Sequence, residues 1–125
     1  MILGLGTDIV EVARIGSAHS RWGESFLTRL LLPGEISWCL AQRVSAPHIA
    51  GRFAAKEAIA KAFGTGIGEA LGWHDMEVAR EACGRPYVIL HGGGHTLAAA
   101  RGVRQVLISL SHTDQYATAT AILEG

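Results

Sequence analysis

The stretch 51-GRFAAKEAIAKAFGTGIG-68 constrains this chain more than any other. At about 100° per residue, Ile49, Phe53, Ile59 and Phe63 share one broad sector of a helix, and Gly51, Ala55, Ala58 and Ala62 take the far side. A helix apolar nearly all round is a buried one, and its small side lets another element come close. Yet Arg52, Lys56, Glu57 and Lys61 sit in it, and Lys56 and Lys61 are the only lysines of the chain. Buried charges need partners, because leaving one uncompensated costs several kcal/mol. Glu57 and Lys61, at i and i+4 with Glu first, are spaced for an ion pair. Lys56 has no partner in sight along the helix, and a structural ion pair is the expectation for it. One carboxylate among three cations suits a phosphorylated ligand with a metal. A solvated salt bridge with snorkelling basic side chains suits the same residues, and the pattern alone leaves both open.

A second carboxylate comes from the N-terminal segment. In 4-GLGTDIVEV-12, Asp8 interrupts an apolar run just after Gly4 and Gly6. It either bonds to nearby backbone or joins Glu57 on a hard cation such as Mg²⁺, which takes one or two carboxylates and completes its shell with phosphate oxygens. The glycines of GTGIG follow the helix, whereas phosphate-cradling loops precede one, so this is no P-loop and no dinucleotide fingerprint. Gly64 reads first as the left-handed residue that ends the helix.

Around these segments the chain reads as α+β. Residues 2–12 form a strand ending near Asp8, 12–30 have helical spacing, Pro33-Gly34 breaks the chain, and Glu35 begins another helical stretch through Ile36, Leu40 and Val44. Ser45-Ala46-Pro47 reads as a turn, with the apolar helix running from His48 to Phe63. Two strands flank a turn at residues 83–86, a short helix follows over 92–102, and 105–123 form a hairpin turning near Thr113. With 125 residues, 49% of them hydrophobic and 18% charged, one folded domain spanning 1–125 is expected. A mean hydropathy of +0.25 hints at apolar surface covered by other subunits. The formal net charge of zero gives no general field for nucleic acid. No apolar run approaches the roughly 20 residues a bilayer requires, and the chain opens on a strand rather than a leader, so a cytoplasmic protein is expected. Cys39 and Cys83 lack metal-site spacing and read as reduced thiols.

Five segments, 4-GLGTDIVEVARI-15, 51-GRFAAKEAIAKAFGTGIG-68, 73-WHDMEV-78, 84-GRPYV-88 and 109-SLSHTDQYATA-119, closely resemble those of the holo-acyl-carrier-protein synthases, the small bacterial 4'-phosphopantetheinyl transferases. They span nearly the whole chain in the family's order. The resemblance implies a small, mostly antiparallel sheet packed with helices, assembled as a homotrimer with active sites between subunits. It implies Mg²⁺-dependent transfer of the phosphopantetheine arm of coenzyme A to a serine of an acyl carrier protein, releasing adenosine 3',5'-bisphosphate. Position by position, Asp8 and Glu57 match metal ligands, and Lys61 completes the catalytic set. Arg52, Lys61 and His112 match residues around the coenzyme A phosphates, with Gly64 and Thr113 beside them. Gly84 and Pro86 match a loop bordering the adenine. The proton acceptor expected is Glu57, directly or through a water it orients, rather than His112. Strand alternation puts His112 on the face of Leu110, where a lone histidine is also often a packing or surface residue. Arg14 and Arg21, seven residues apart on one helical face and extended by Arg29, are expected to meet the acidic carrier. The competing reading is a trimeric module that binds coenzyme A or a related nucleotide without turnover; a third is a metal-dependent phosphodiesterase using water.

Overall fold

A computed structural model describes residues 1–125 as strand β1 (Ile2–Glu11), helices α1 (Val12–Trp22), α2 (Glu24–Leu30), α3 (Pro33–Leu40) and α4 (Ala46–Phe63), then strands β2 (Met76–Arg80) and β3 (Pro86–Leu90), helix α5 (Gly92–Arg101), and strands β4 (Gln105–His112) and β5 (Tyr116–Glu124). The α+β reading holds. Four boundaries move. The helix expected from Glu35 to Val44 runs from Pro33 to Leu40, because Pro33, expected to break the chain, takes its first turn, where its missing N–H costs nothing. β1 runs past Asp8, because its backbone stays paired with β5 as far as Glu11. The single helix expected over 12–30 is two helices, broken at Gly23, whose φ of 59° is open to glycine and strained for other residues. The helix expected to start at His48 starts at Ala46, and Pro47 lies inside its first turn, where a missing N–H costs nothing.

Strand order β1-β5-β4 places the first and last strands of the chain side by side, all antiparallel, while β2 and β3 form a separate hairpin. The Ala/Thr alternation of β5 sorts its two faces: Ala117, Ala119, Ala121 and Leu123 are buried beneath α4, and Thr118, Thr120 and Ile122 look the other way. α4 lies across this alanine face with every residue but Lys61 buried or half-buried. On the opposite face the sheet is bare: Leu5 and Ile9 of β1 are each 66% exposed.

The charges in α4 find partners in the interior. Lys56 Nζ donates to Glu35 Oε1 at 2.8 Å and to the carbonyls of Leu30 and Trp73 at 2.9 and 3.2 Å, so all three of its protons are used. Glu35 accepts in addition from the backbone N–H groups of Leu32 and Val78. This pair ties α3, α4 and β2 together, and the structural ion pair expected for Lys56 is present. No helix is long and apolar enough to cross a membrane.

Candidate active site

Gly4 and Gly6 bring β1 onto α4. A Cβ at Gly6 would run into the carbonyl oxygen of Ala58 and stand 2.7 Å from the Ala62 nitrogen; one at Gly4 would strike the Ala62 carbonyl. The glycines of the strand thus fit the small side of the helix, and the next inward-facing residue of β1 is Asp8. Its carboxylate Oδ1 accepts a hydrogen bond from Lys61 Nζ at 2.9 Å, and the same ammonium donates to the Thr7 carbonyl at 3.0 Å. The ion pair expected between Glu57 and Lys61 is therefore replaced by one from Lys61 to Asp8. Burial, and then the Asp8 charge, raise the Glu57 carboxyl above the ordinary carboxylate range, with Lys61 opposing them. Asp8, Glu57, Lys61, Phe53 and Arg14 line one cleft of about 470 Å³.

Two neighbouring carboxylates beside a lysine, one of them raised by burial and by the charge of the other, fit a hard divalent cation. No group of three or more His, Cys, Asp or Glu side chains is gathered anywhere. A cation here would hold two protein oxygens and leave the rest of its shell to phosphate and water, the arrangement Mg²⁺ favours.

A second cleft, about 190 Å³, lies on the other flank of α4 and is lined by Pro47, His48, Gly51, Arg80, Pro86 and His112 among others. Phe53, Glu57 and Lys61 recur every fourth residue along one flank, and His48 and Gly51 point about 80° or more away from them. No residue lines both clefts. The residues expected around one bound ligand are thus divided between two surfaces of the same chain.

Three expected contacts turn out differently. Arg52, expected at the phosphates, is 1% exposed; its guanidinium lies 4.3 Å over the Trp38 ring, with Nε 4.0 Å from Glu35. It faces the interior because its place on α4 looks toward α3. Burial is the main reason its pKa is lowered, and Nε and Nη1 have no hydrogen-bond partner. Thr113 closes the β4–β5 turn, its hydroxyl oxygen accepting from the N–H groups of Gln115 and Tyr116. Gly64 ends α4 with φ 79°, its N–H bonded to the last carbonyls of the helix; it lines neither cleft. Gly84, at φ 92°, makes the β2–β3 turn, and its carbonyl accepts from Arg80 Nη1 at 2.9 Å. Pro86 reaches the second cleft directly. Arg14 borders the first cleft, and Arg21, further along α1, lies 4.8 Å over the exposed Trp22 ring. Sequence reasoning missed Phe53, His48 and Arg80 as residues lining the two clefts. The only signal was spacing: His48 lies one helical turn before Arg52, while nothing local marks Arg80.

The family model of the 4'-phosphopantetheinyl transferase superfamily matches residues 4–121. A holo-[acyl-carrier-protein] synthase of Koribacter versatilis is 48% identical over 124 residues, covering 99% of each chain. The crystal structure of the holo-[acyl-carrier-protein] synthase from Neisseria meningitidis superposes with a TM-score of 0.93 at 33% identity, covering 100% of both chains. That of the Helicobacter pylori enzyme in complex with coenzyme A gives 0.86 at 32% identity, covering 96% of this chain and 99% of that one.

Proposed function

The chain belongs to the 4'-phosphopantetheinyl transferase superfamily, among the holo-acyl-carrier-protein synthases, and from that premise we propose that it moves the 4'-phosphopantetheine group of coenzyme A onto a serine of an apo-acyl carrier protein. The observation that carries this reading is the meeting of Asp8, Glu57 and Lys61 in one cleft bordered by Arg14. Phosphoryl transfer is mostly positioning and charge neutralisation, and that set supplies both.

The serine hydroxyl oxygen attacks the phosphorus attached to pantetheine. The bond from that phosphorus to the bridging oxygen breaks, and adenosine 3',5'-bisphosphate leaves with the bridging oxygen. Glu57, directly or through a water it orients, takes the serine proton. Lys61, reaching into the cleft from the last turn of α4, offsets negative charge on the departing phosphate. Asp8 and Glu57 are the residues that would hold Mg²⁺, which when bound supplies charge neutralisation across the pyrophosphate. Gly84, Pro86 and His112 belong to the nucleotide end of the ligand.

The division of these residues between two flanks of α4 favours an assembly in which the first cleft of one subunit faces the second cleft of its neighbour. A closed ring of three copies satisfies this for every site, and the bare apolar face of β1 provides surface for it. A cytoplasmic site of action belongs to the same reading.

Incubation with coenzyme A, Mg²⁺ and an apo-acyl carrier protein, followed by intact-mass measurement of the carrier, tests the reading. A gain of one phosphopantetheine group, lost in Asp8→Ala and Glu57→Ala, is expected. Unmodified carrier with intact coenzyme A would identify a binding module instead, and cleaved coenzyme A with unmodified carrier a phosphodiesterase.

A further inference from the structure

Trp38 of α3, His48 of α4 and His112 of β4 form a run of edge-to-face rings. Trp38 and His48 centroids are 5.2 Å apart at an interplanar angle of 78°, and His48 and His112 are 5.4 Å apart at 73°. The start of the run is rigid. Trp38 carries the guanidinium of Arg52 at 4.3 Å and that of Arg80 at 4.5 Å, and Arg80 is itself tied to the Gly84 carbonyl. The far end is not. His112 is the last residue of β4, exposed, and its ring nitrogens make no hydrogen bond within the chain. Its contact with His48 is the one aromatic contact that fixes the ring over the second cleft.

We propose that His48 is a positioning residue that holds the His112 imidazole in the second cleft, where it meets the 3'-phosphate of the bound coenzyme A. The proposal rests on the reading of His112 as a contact at the nucleotide end. The pyrophosphate is accounted for by Asp8, Glu57 and Lys61 on the other flank, so the phosphate left for this cleft is the one on the ribose. The charged groups facing His48 are His112 from β4, Arg80 from β2 and Arg52 from its own helix; Trp38, from α3, is uncharged. Burial and then these three groups depress the His48 pKa, which favours its neutral ring. A neutral ring set edge-to-face orients the neighbouring His112 ring without competing for the anion.

The test compares coenzyme A with dephospho-coenzyme A, which lacks the 3'-phosphate, as donors for the full-length protein and its His48→Ala, His48→Phe and His112→Ala variants. His48→Ala is expected to raise the KM for coenzyme A about three- to tenfold, the range an aromatic edge-to-face pair is worth, with kcat held within about twofold. The KM for dephospho-coenzyme A should stay at the wild-type value. His48→Phe, which keeps the ring, should restore the coenzyme A KM. If His112→Ala raises that KM and His48→Ala does not, the positioning role of His48 is overturned while the phosphate contact stands. If His112→Ala leaves it unchanged, the reading of His112 fails first and takes the inference with it. Equal losses on both donors in His48→Ala would mark a packing role only. Failure of His48→Phe to rescue would mean that the ring nitrogens, rather than its contact, do the work; either result overturns the proposal.

Discussion

Lys56 Nζ lies 2.8 Å from Glu35 Oε1, and both side chains are at most 1% exposed. The pair links positions 21 residues apart in the chain, and it sets the rotation of α4 that turns Phe53, Glu57 and Lys61 toward one cleft and His48 and Gly51 toward the other. Desolvation lowers the Lys56 pKa while Glu35 opposes the shift, and three acceptors satisfy the ammonium donors.

Removing Glu35 leaves the Lys56 ammonium buried without its carboxylate, and removing Lys56 leaves Glu35 buried with only the more distant Arg52 to offset its charge. Lys56→Met and Glu35→Gln are each expected to destabilise the protein by about 3–5 kcal/mol. In the double variant the amide introduced at position 35 can donate to the carbonyls Lys56 vacates. Its unfolding free energy from urea titration should therefore exceed the value expected from additive single losses by about 1 kcal/mol or more; strictly additive losses would show that the two do not act as a pair.

Gly6→Ala places a methyl group against the Ala58 carbonyl, a backbone atom with nowhere to go. β1 must lift from α4 and carry Asp8 away from Lys61. A stability loss of about 1–3 kcal/mol is expected, together with a fall in kcat larger than the change in KM for coenzyme A. Gly68→Ala, where an added Cβ meets nothing within 4 Å, is the control and should leave both parameters unchanged.

Arg14 stands at the rim of the first cleft and Arg21 lies further along the same helix, on its exposed side. Reversing both to Glu should raise the KM for the acidic carrier well above any rise for coenzyme A, and the difference should shrink as salt is added. Equal rises for the two substrates at every ionic strength would remove these arginines from carrier docking.

Leu5 is 66% exposed on the bare sheet face. In the three-copy assembly proposed above, Leu5→Asp should leave the circular dichroism of the subunit intact, shift its sedimentation to that of a monomer, and abolish transfer, because each cleft would then lose its neighbour. An active monomer would break the link between assembly and catalysis.

The depressed pKa of His48 has a consequence for folding. With the unfolded value near 6.5 and the folded value lower, the unfolded chain binds the extra proton first. The stability this contributes is complete above pH 6.5 and is lost as pH falls through the folded value. A plot of melting temperature against pH should therefore drop less steeply below 6.5 in His48→Phe than in wild type. Parallel curves would contradict the depressed value.

The sequence by itself determined the local events. Glycine at 64 ends α4 because it admits the left-handed backbone there, and the Ala/Thr alternation of β5 forces one buried face and one open one. The small side of α4 and the glycines of β1 announced a close approach, and Asp8, Glu57 and Lys61 were legible as its chemical content through family resemblance. What only the tertiary structure decided is which charges meet. Lys61 bonds to Asp8, 53 positions away, in preference to Glu57 on its own helix, since the glycine notch of β1 brings the strand carboxylate within reach. Arg52 and Lys56 turn inward because Glu35 and Trp38 of α3 wait there, and His112 acquires a neighbour in His48 because β4 runs past the first turn of α4. Helical and strand periods report which residues share a face; they carry no information on what a distant segment will place against that face, and the partners of buried charge are set by that placement.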